Sequence, residues 1–234
     1  MFEAGIKREE LFITTKLWNT DKGDAEAAFN LSLSKLGLEY VDLYLIHNMV
    51  PVIDFESDDW SAKSPPHHVI WKVLEEQVKK GKIRSIGVSN FTVPALLDLI
   101  AGAEINPTVN QIECHPFLQQ QALFKWHKKL GVAITCYAAI GSGHYSGNEQ
   151  VKSVSVLTDP IINEIAEKHG KSAAQVAVQF QLQRQSVVVL VKTTKIERLA
   201  ENLKSAFFTL DEEDVEKIEK LDAGLRLFNP RVFD

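Results

Sequence analysis

Apolar residues along this chain fall into two alternating kinds of stretch. Short runs rich in β-branched residues alternate with longer segments whose apolar groups recur three and four positions apart. Residues 11–17, Leu-Phe-Ile-Thr-Thr-Lys-Leu, read as a first strand. Residues 24–37 place Ala27, Ala28, Leu31, Leu33 and Leu36 at helical spacing and stop at Gly37. The pattern then predicts strands at 41–47, 85–90, 109–113, 132–138 and 187–191. It predicts helices at 69–80, 93–101, 117–130, 160–169, 172–184, 196–204 and 211–221. Gly81 and Gly131 end two of the helices, and Asp159-Pro160 starts another. A Gly/Ser-rich loop covers 141–157.

Six strands alternating with helices, the strands apolar on both faces, describe a parallel sheet covered by helices. A doubly wound sheet and a (β/α)8 barrel both satisfy that alternation. Nothing in the chain marks a linker, so 1–234 is expected to form a single domain. Its 234 residues, 45% hydrophobic and 24% charged, suit an ordinary globular core. A net charge of −5 argues against nucleic acid or an anionic membrane as partner. The first ten residues lack a signal peptide's apolar centre, and no apolar run approaches a membrane span, so a cytoplasmic location is expected. Cys114 and Cys136 lie in apolar runs and are expected to be buried free thiols. No His/Cys/Asp group has metal-ligand spacing.

The most specific wording is Gly81-Lys-Ile-Arg-Ser-Ile-Gly-Val-Ser-Asn-Phe91, a strand that stops at two small polar residues. Three further stretches stand beside it: Asp42-Leu-Tyr-Leu-Ile-His47, Val109-Asn-Gln-Ile-Glu-Cys-His-Pro116 and Lys192-Thr-Thr-Lys-Ile-Glu-Arg-Leu-Ala-Glu-Asn202. Together they resemble the aldo-keto reductase family, from about Glu9 onward. The resemblance selects the TIM (β/α)8-type barrel from the two architectures. It implies an NADPH-dependent oxidoreductase that reduces an aldehyde or ketone to an alcohol. NADPH/NADP+ is the cofactor it implies, and a small carbonyl compound the substrate.

The same resemblance distributes roles. Lys16 would tune a proton-donating tyrosine, and His47 would orient the substrate carbonyl. Trp18 would join His47 in contacting substrate, and Phe55 and Trp60 could line the same apolar pocket. Ser89, Asn90 and Gln111 would hold the nicotinamide carboxamide, and Tyr137 would stack on the ring. Gly141 and Ser142 would approach the pyrophosphate. Lys192, Thr193 and Arg198 would grip the adenosine 2′-phosphate, with Glu201 and Asn202 on the adenine.

The chain departs from the family pattern in places. Asn48-Met49 replaces Trp-Pro, and Tyr137-Ala-Ala-Ile-Gly141 replaces Tyr-Ser-Pro-Leu-Gly. The family's D-x-A-x-x-Y stretch, which carries its tyrosine and aspartate, has no counterpart in the 234 residues. Of Tyr40, Tyr44, Tyr137 and Tyr145, only Tyr145 is free to substitute. The expectation is an N-terminally truncated barrel with six of eight strands, existing as a monomer or self-associating through open edges. The alternative function is a catalytically impaired NADP(H)-binding protein. His67 and His68 are expected in an exposed loop, and His115 is expected to be structural.

Overall fold

The structure is a computed structural model that describes residues 5–50, 64–141, 155–184 and 187–228. It divides into two compact units, Met1–Asn110 and Gln111–Asp234. The sheet runs β1-β2-β3-β4-β5-β6 in chain order, and the registered strand pairs are parallel. Chain-order succession is the singly wound pattern of a (β/α) barrel. A doubly wound sheet would reverse direction at a switch point.

In the first unit, β1 (Thr14–Leu17) leads through a 3-10 turn (Asn19–Asp24) into α1 (Ala25–Leu36). The Asp24 carboxylate accepts from the Ala27 N–H and caps α1. Gly37, left-handed at φ 65°, ends it, and its N–H closes on the Leu33 and Ser34 carbonyls. β2 (Val41–Ile46) is buried at all six positions, as a strand covered on both faces must be. α2 (His67–Lys79), β3 (Ile83–Ser89) and α3 (Val93–Gly102) follow. Lys16 pairs with Leu45 in the β1–β2 register, and Leu45 with Gly87 in the β2–β3 register.

The second unit contains most of β4 (Val109–Glu113), then α4 (Gln121–Leu130) and β5 (Ala133–Tyr137). After a 3-10 turn (Val156–Thr158) come α5 (Pro160–His169), α6 (Ala173–Leu182), β6 (Val187–Val189), α7 (Glu197–Lys204) and α8 (Glu212–Glu219). One apolar cluster joins Ile162, Ile165 and Ala166 of α5, Val176 and Phe180 of α6, Leu210, and Ile218 of α8. Lys168 donates to both Asp211 and Asp214, and His169 lies 2.6 Å from Asp214, so α8 is tied to α5. His169, Asp211 and Asp214 converge closely enough for metal ligation, although their sequence spacing gave no such sign. The Lys168 ammonium already engages both aspartates.

Four expectations are corrected. α4 begins at Gln121 rather than 117, because His115 and Leu118 pair across a tight turn and Gln120 is left-handed at φ 53°. A residue in that conformation cannot continue a right-handed helix. β6 is only three residues long, and Val188 is 55% exposed. It ends the strand order, so one of its sides has no strand partner in the sheet. His67 opens α2 rather than lying in a loop, and its half-buried ring packs on Phe91 with centroids 4.9 Å apart. β1 starts at Thr14, three residues later than its apolar run. Both cysteines are buried and free, and no helix among the described residues is long and apolar enough to cross a membrane.

Candidate active site

In the first unit, the chemistry-bearing groups sit at the C-terminal ends of β1, β2 and β3. Parallel α/β folds present ligand groups at that edge. Lys16 is half-buried near the end of β1. Burial, which disfavours the ammonium, lowers its pKa from the ordinary lysine value. His47 directly follows β2, and its backbone N–H donates to the Leu17 carbonyl. Trp18 meets the imidazole edge-on at 4.6 Å and keeps 44% of its own surface exposed. Burial first, then the charges of Lys16 and Lys22, bring His47 down to about 4. At neutral pH the imidazole is therefore uncharged, with one N–H to donate and one nitrogen to accept.

Ser89 and Asn90 end β3 and are both buried. Asn90 is left-handed at φ 58°, an unusual backbone state for a residue other than glycine. Its side-chain amide donates to the His47 carbonyl at 3.0 Å and to Ser89 Oγ at 3.1 Å. The pair expected to hold the carboxamide is thus bonded to the backbone of the histidine expected to orient the carbonyl. Asn110 brackets Phe91, accepting from its N–H and donating to its carbonyl at 2.9 Å. These strand-end ties gave no signal in the sequence.

Two tyrosines of this unit serve packing. Tyr40 lies between the guanidinium groups of Arg8 and Arg84, at 3.9 and 4.3 Å, ahead of the N-terminal end of β2. Tyr44 is fully buried mid-strand against Phe29, and burial pushes its phenol up to about 12.

In the second unit, Gln111 is buried on β4, and Tyr137 ends β5. The Tyr137 ring meets Phe228 edge-on at 5.7 Å. Burial and then the Glu113 charge raise its phenol well above the ordinary value, so it stays protonated. Glu113 is a residue that sequence reasoning missed. Its fully buried carboxylate accepts from the Leu227 and Phe228 N–H groups at 2.6 and 3.1 Å and touches His115 at 3.1 Å. His115, expected to be structural, is fully buried. Gly141 is left-handed at φ 76° and closes a tight turn, its N–H donating to the Ala138 carbonyl at 2.7 Å. Ser142 and Tyr145 lie outside the described residues, as do Phe55 and Trp60.

A cavity of about 960 Å3 opens in the same unit, bounded by the end of α5, the start of α6 and α7. Lys192, Thr193, Arg198, Glu201 and Asn202 all line it. The structure therefore gathers the five residues expected to hold the adenosine end of a cofactor. Ser172 caps α6 and also donates to Glu201 at 2.6 Å, and Gln175 donates to the Glu201 carbonyl. Lys192 and Arg198 form no ion pair with any described residue. They share the wall with Glu164, Glu167 and Glu201, and two cations without a direct ion pair suit an anion such as a phosphate monoester.

Comparison with known proteins shows the family. The model of the Aldo/keto reductase family matches residues 2–223. The NAD(P)H-dependent D-xylose reductase I,II of Candida tropicalis is 42% identical, across 99% of this chain and 77% of that protein. The NADP-dependent D-sorbitol-6-phosphate dehydrogenase of Malus domestica is 37% identical, across 98% and 77%. Among solved structures, MGS-M4, an aldo-keto reductase from a deep-sea metagenome library, superposes with a TM-score of 0.81. It shares 37% identity and is matched over 97% of this chain and 76% of its own. Family model, sequence relatives and solved structure agree, and this chain belongs to the aldo/keto reductase family.

Proposed function

We propose that this chain reduces an aldehyde or ketone to an alcohol with NADPH as the reductant. The observation that carries the reading is the second-unit cavity, where Lys192 and Arg198 form no ion pair with any described residue and Glu201 is held in place by Ser172. Such a wall fits an adenosine 2′-phosphate, and the two cations favour NADPH over NADH. When bound, the reduced nicotinamide supplies a hydride to the carbonyl carbon.

The remaining roles belong to the chain's own groups. Ser89 and Asn90 offer a hydroxyl and an amide for the carboxamide, and Gln111 offers a second amide. Tyr137 offers an aromatic face. Neutral His47 donates its N–H to the carbonyl oxygen and stabilises the charge that develops there as hydride arrives. Lys16 adds positive potential, which stabilises that oxygen further and eases the transfer of a proton to it from a donor. Tyr40 and Tyr44 are committed to packing and do not fill the donor's role. Trp18 presents an apolar wall to a small carbonyl substrate.

The relatives named as reductases and dehydrogenases support turnover, and none supports the alternative of an impaired binder. The test is calorimetric titration with NADPH and NADH, followed by nucleotide consumption with D-xylose and a panel of simple aldehydes. Preferential NADPH binding with carbonyl-dependent consumption is expected. Binding without consumption across the panel refutes the reductase reading.

A further inference from the structure

Lys22 is the one lysine among the buried residues of the described chain. It lies in the 3-10 turn after β1, is 1% exposed, and has no carboxylate partner among the described residues. Its ammonium instead donates to two backbone carbonyls, Asn48 at 2.7 Å and Val50 at 3.0 Å. The Asn48 side chain turns back to accept from the Val50 N–H at 3.3 Å. Asn48 directly follows His47, so this staple closes immediately beyond the imidazole. Burying an ammonium with only neutral acceptors is costly. A lysine in a polar surface turn would avoid that cost by extending into water.

We propose that Lys22 is a positioning residue for His47, stapling the chain that leaves the histidine and keeping a fixed positive charge beside the imidazole. Three ties then hold the His47 main chain and its continuation. The Leu17 carbonyl takes its N–H, the Asn90 amide donates to its carbonyl, and Lys22 grips the next residues. The edge contact with Trp18 sets the ring.

The charges around His47 are Lys16 from β1 and Lys22 from the turn after it, both of which disfavour a second proton on the ring. Lys22 also faces His67 of α2, which in turn feels Asp98 of α3. Burial leaves Lys22 itself able to release its proton at about pH 8. The functional value of the staple rests on His47 acting as the carbonyl-orienting group. Its physical claim does not.

The experiment follows the His47 imidazole by NMR against pH, with the resonance assigned by its loss in His47→Asn. In the parent chain the ring is expected to titrate at about pH 4. In Lys22→Met the midpoint is expected to rise by about 1 unit, and Lys22→Arg is expected to restore most of the parent value. An unchanged midpoint in folded Lys22→Met, or an equal rise in Lys22→Arg, overturns the proposal.

A second measurement uses the parent chain alone. Trp18 fluorescence, isolated by comparison with Trp18→Phe, is expected to step as Lys22 loses its proton, and a flat signal through that range overturns the proposal. Both readouts are independent of turnover. If the titrations behave as expected but no carbonyl is reduced, the assignment of function fails while the staple stands.

Discussion

Gly87 provides a sharp test of how the strands present the site. It lies in β3 opposite Leu45, two residues before Ser89. A Cβ placed on it would stand 2.6 Å from the Val109 carbonyl oxygen and 2.8 Å from Leu45 Cδ2. The Leu45 methyl can swing away. The Val109 backbone cannot, because the neighbouring Thr108 donates to the Ile86 carbonyl through both its N–H, at 2.9 Å, and its hydroxyl, at 3.0 Å. Relief requires the local backbones to separate by about 0.8 Å, where ordinary contact begins.

Overpacking of this kind costs about 1–3 kcal/mol, and a clash against backbone belongs near the upper end. At roughly 2–4 °C per kcal/mol for a chain of this length, Gly87→Ala should lower Tm by about 6–12 °C. Thermal unfolding followed by circular dichroism reads this directly, with Gly131→Ala as control. Gly131 is left-handed at φ 67° with open space around it, so its replacement adds backbone strain of about 1 kcal/mol and no clash. A Gly87→Ala protein within ~2 °C of the parent, or no lower than the Gly131→Ala control, would refute the close-approach argument.

Further expectations concern the ion pairs and the cofactor wall. Arg198→Leu should weaken NADPH roughly tenfold or more and leave NADH nearly unchanged, measured by calorimetry. Asp42 is buried, which alone would raise its pKa. The Ile13 N–H and the guanidinium groups of Arg8 and Arg84 more than offset this, so the folded carboxyl lies below its ordinary value. Its contribution is present above about pH 4 and is lost as pH falls through the folded pKa. The acid limb of the stability curve should accordingly flatten in Asp42→Asn, as denaturant titrations at successive pH values would show. Glu113→Gln replaces an acceptor with a donor facing the Leu227 and Phe228 N–H groups, and should speed amide exchange across 225–228 by about tenfold or more.

Much of the fold was legible because its signals are local. The apolar run 41–46 has the length and composition of a doubly covered strand, and the structure buries all six positions. Gly37 and Asp159 mark helix ends through backbone conformation and capping, which depend on a few neighbouring residues. That Lys192, Thr193, Arg198, Glu201 and Asn202 line one cavity follows similarly from their lying in one continuous stretch. Where two local signals compete, the sequence misled. The start of α4 was misplaced because a local turn, tied by Gln120 donating to the Glu113 carbonyl at 2.5 Å, overrides helical spacing.

The sequence by itself determined the α/β alternation and the family. Each of these follows from composition or order within short windows. Tertiary structure decided how the site residues are held. The Asn90 amide reaches a carbonyl 43 positions earlier, and the Glu113 carboxylate receives N–H groups more than a hundred positions later. Lys22 is drawn out of water by two carbonyls of a following loop. Contacts of this kind join residues that no spacing rule links. They exist only once parallel strands have brought separate segments side by side.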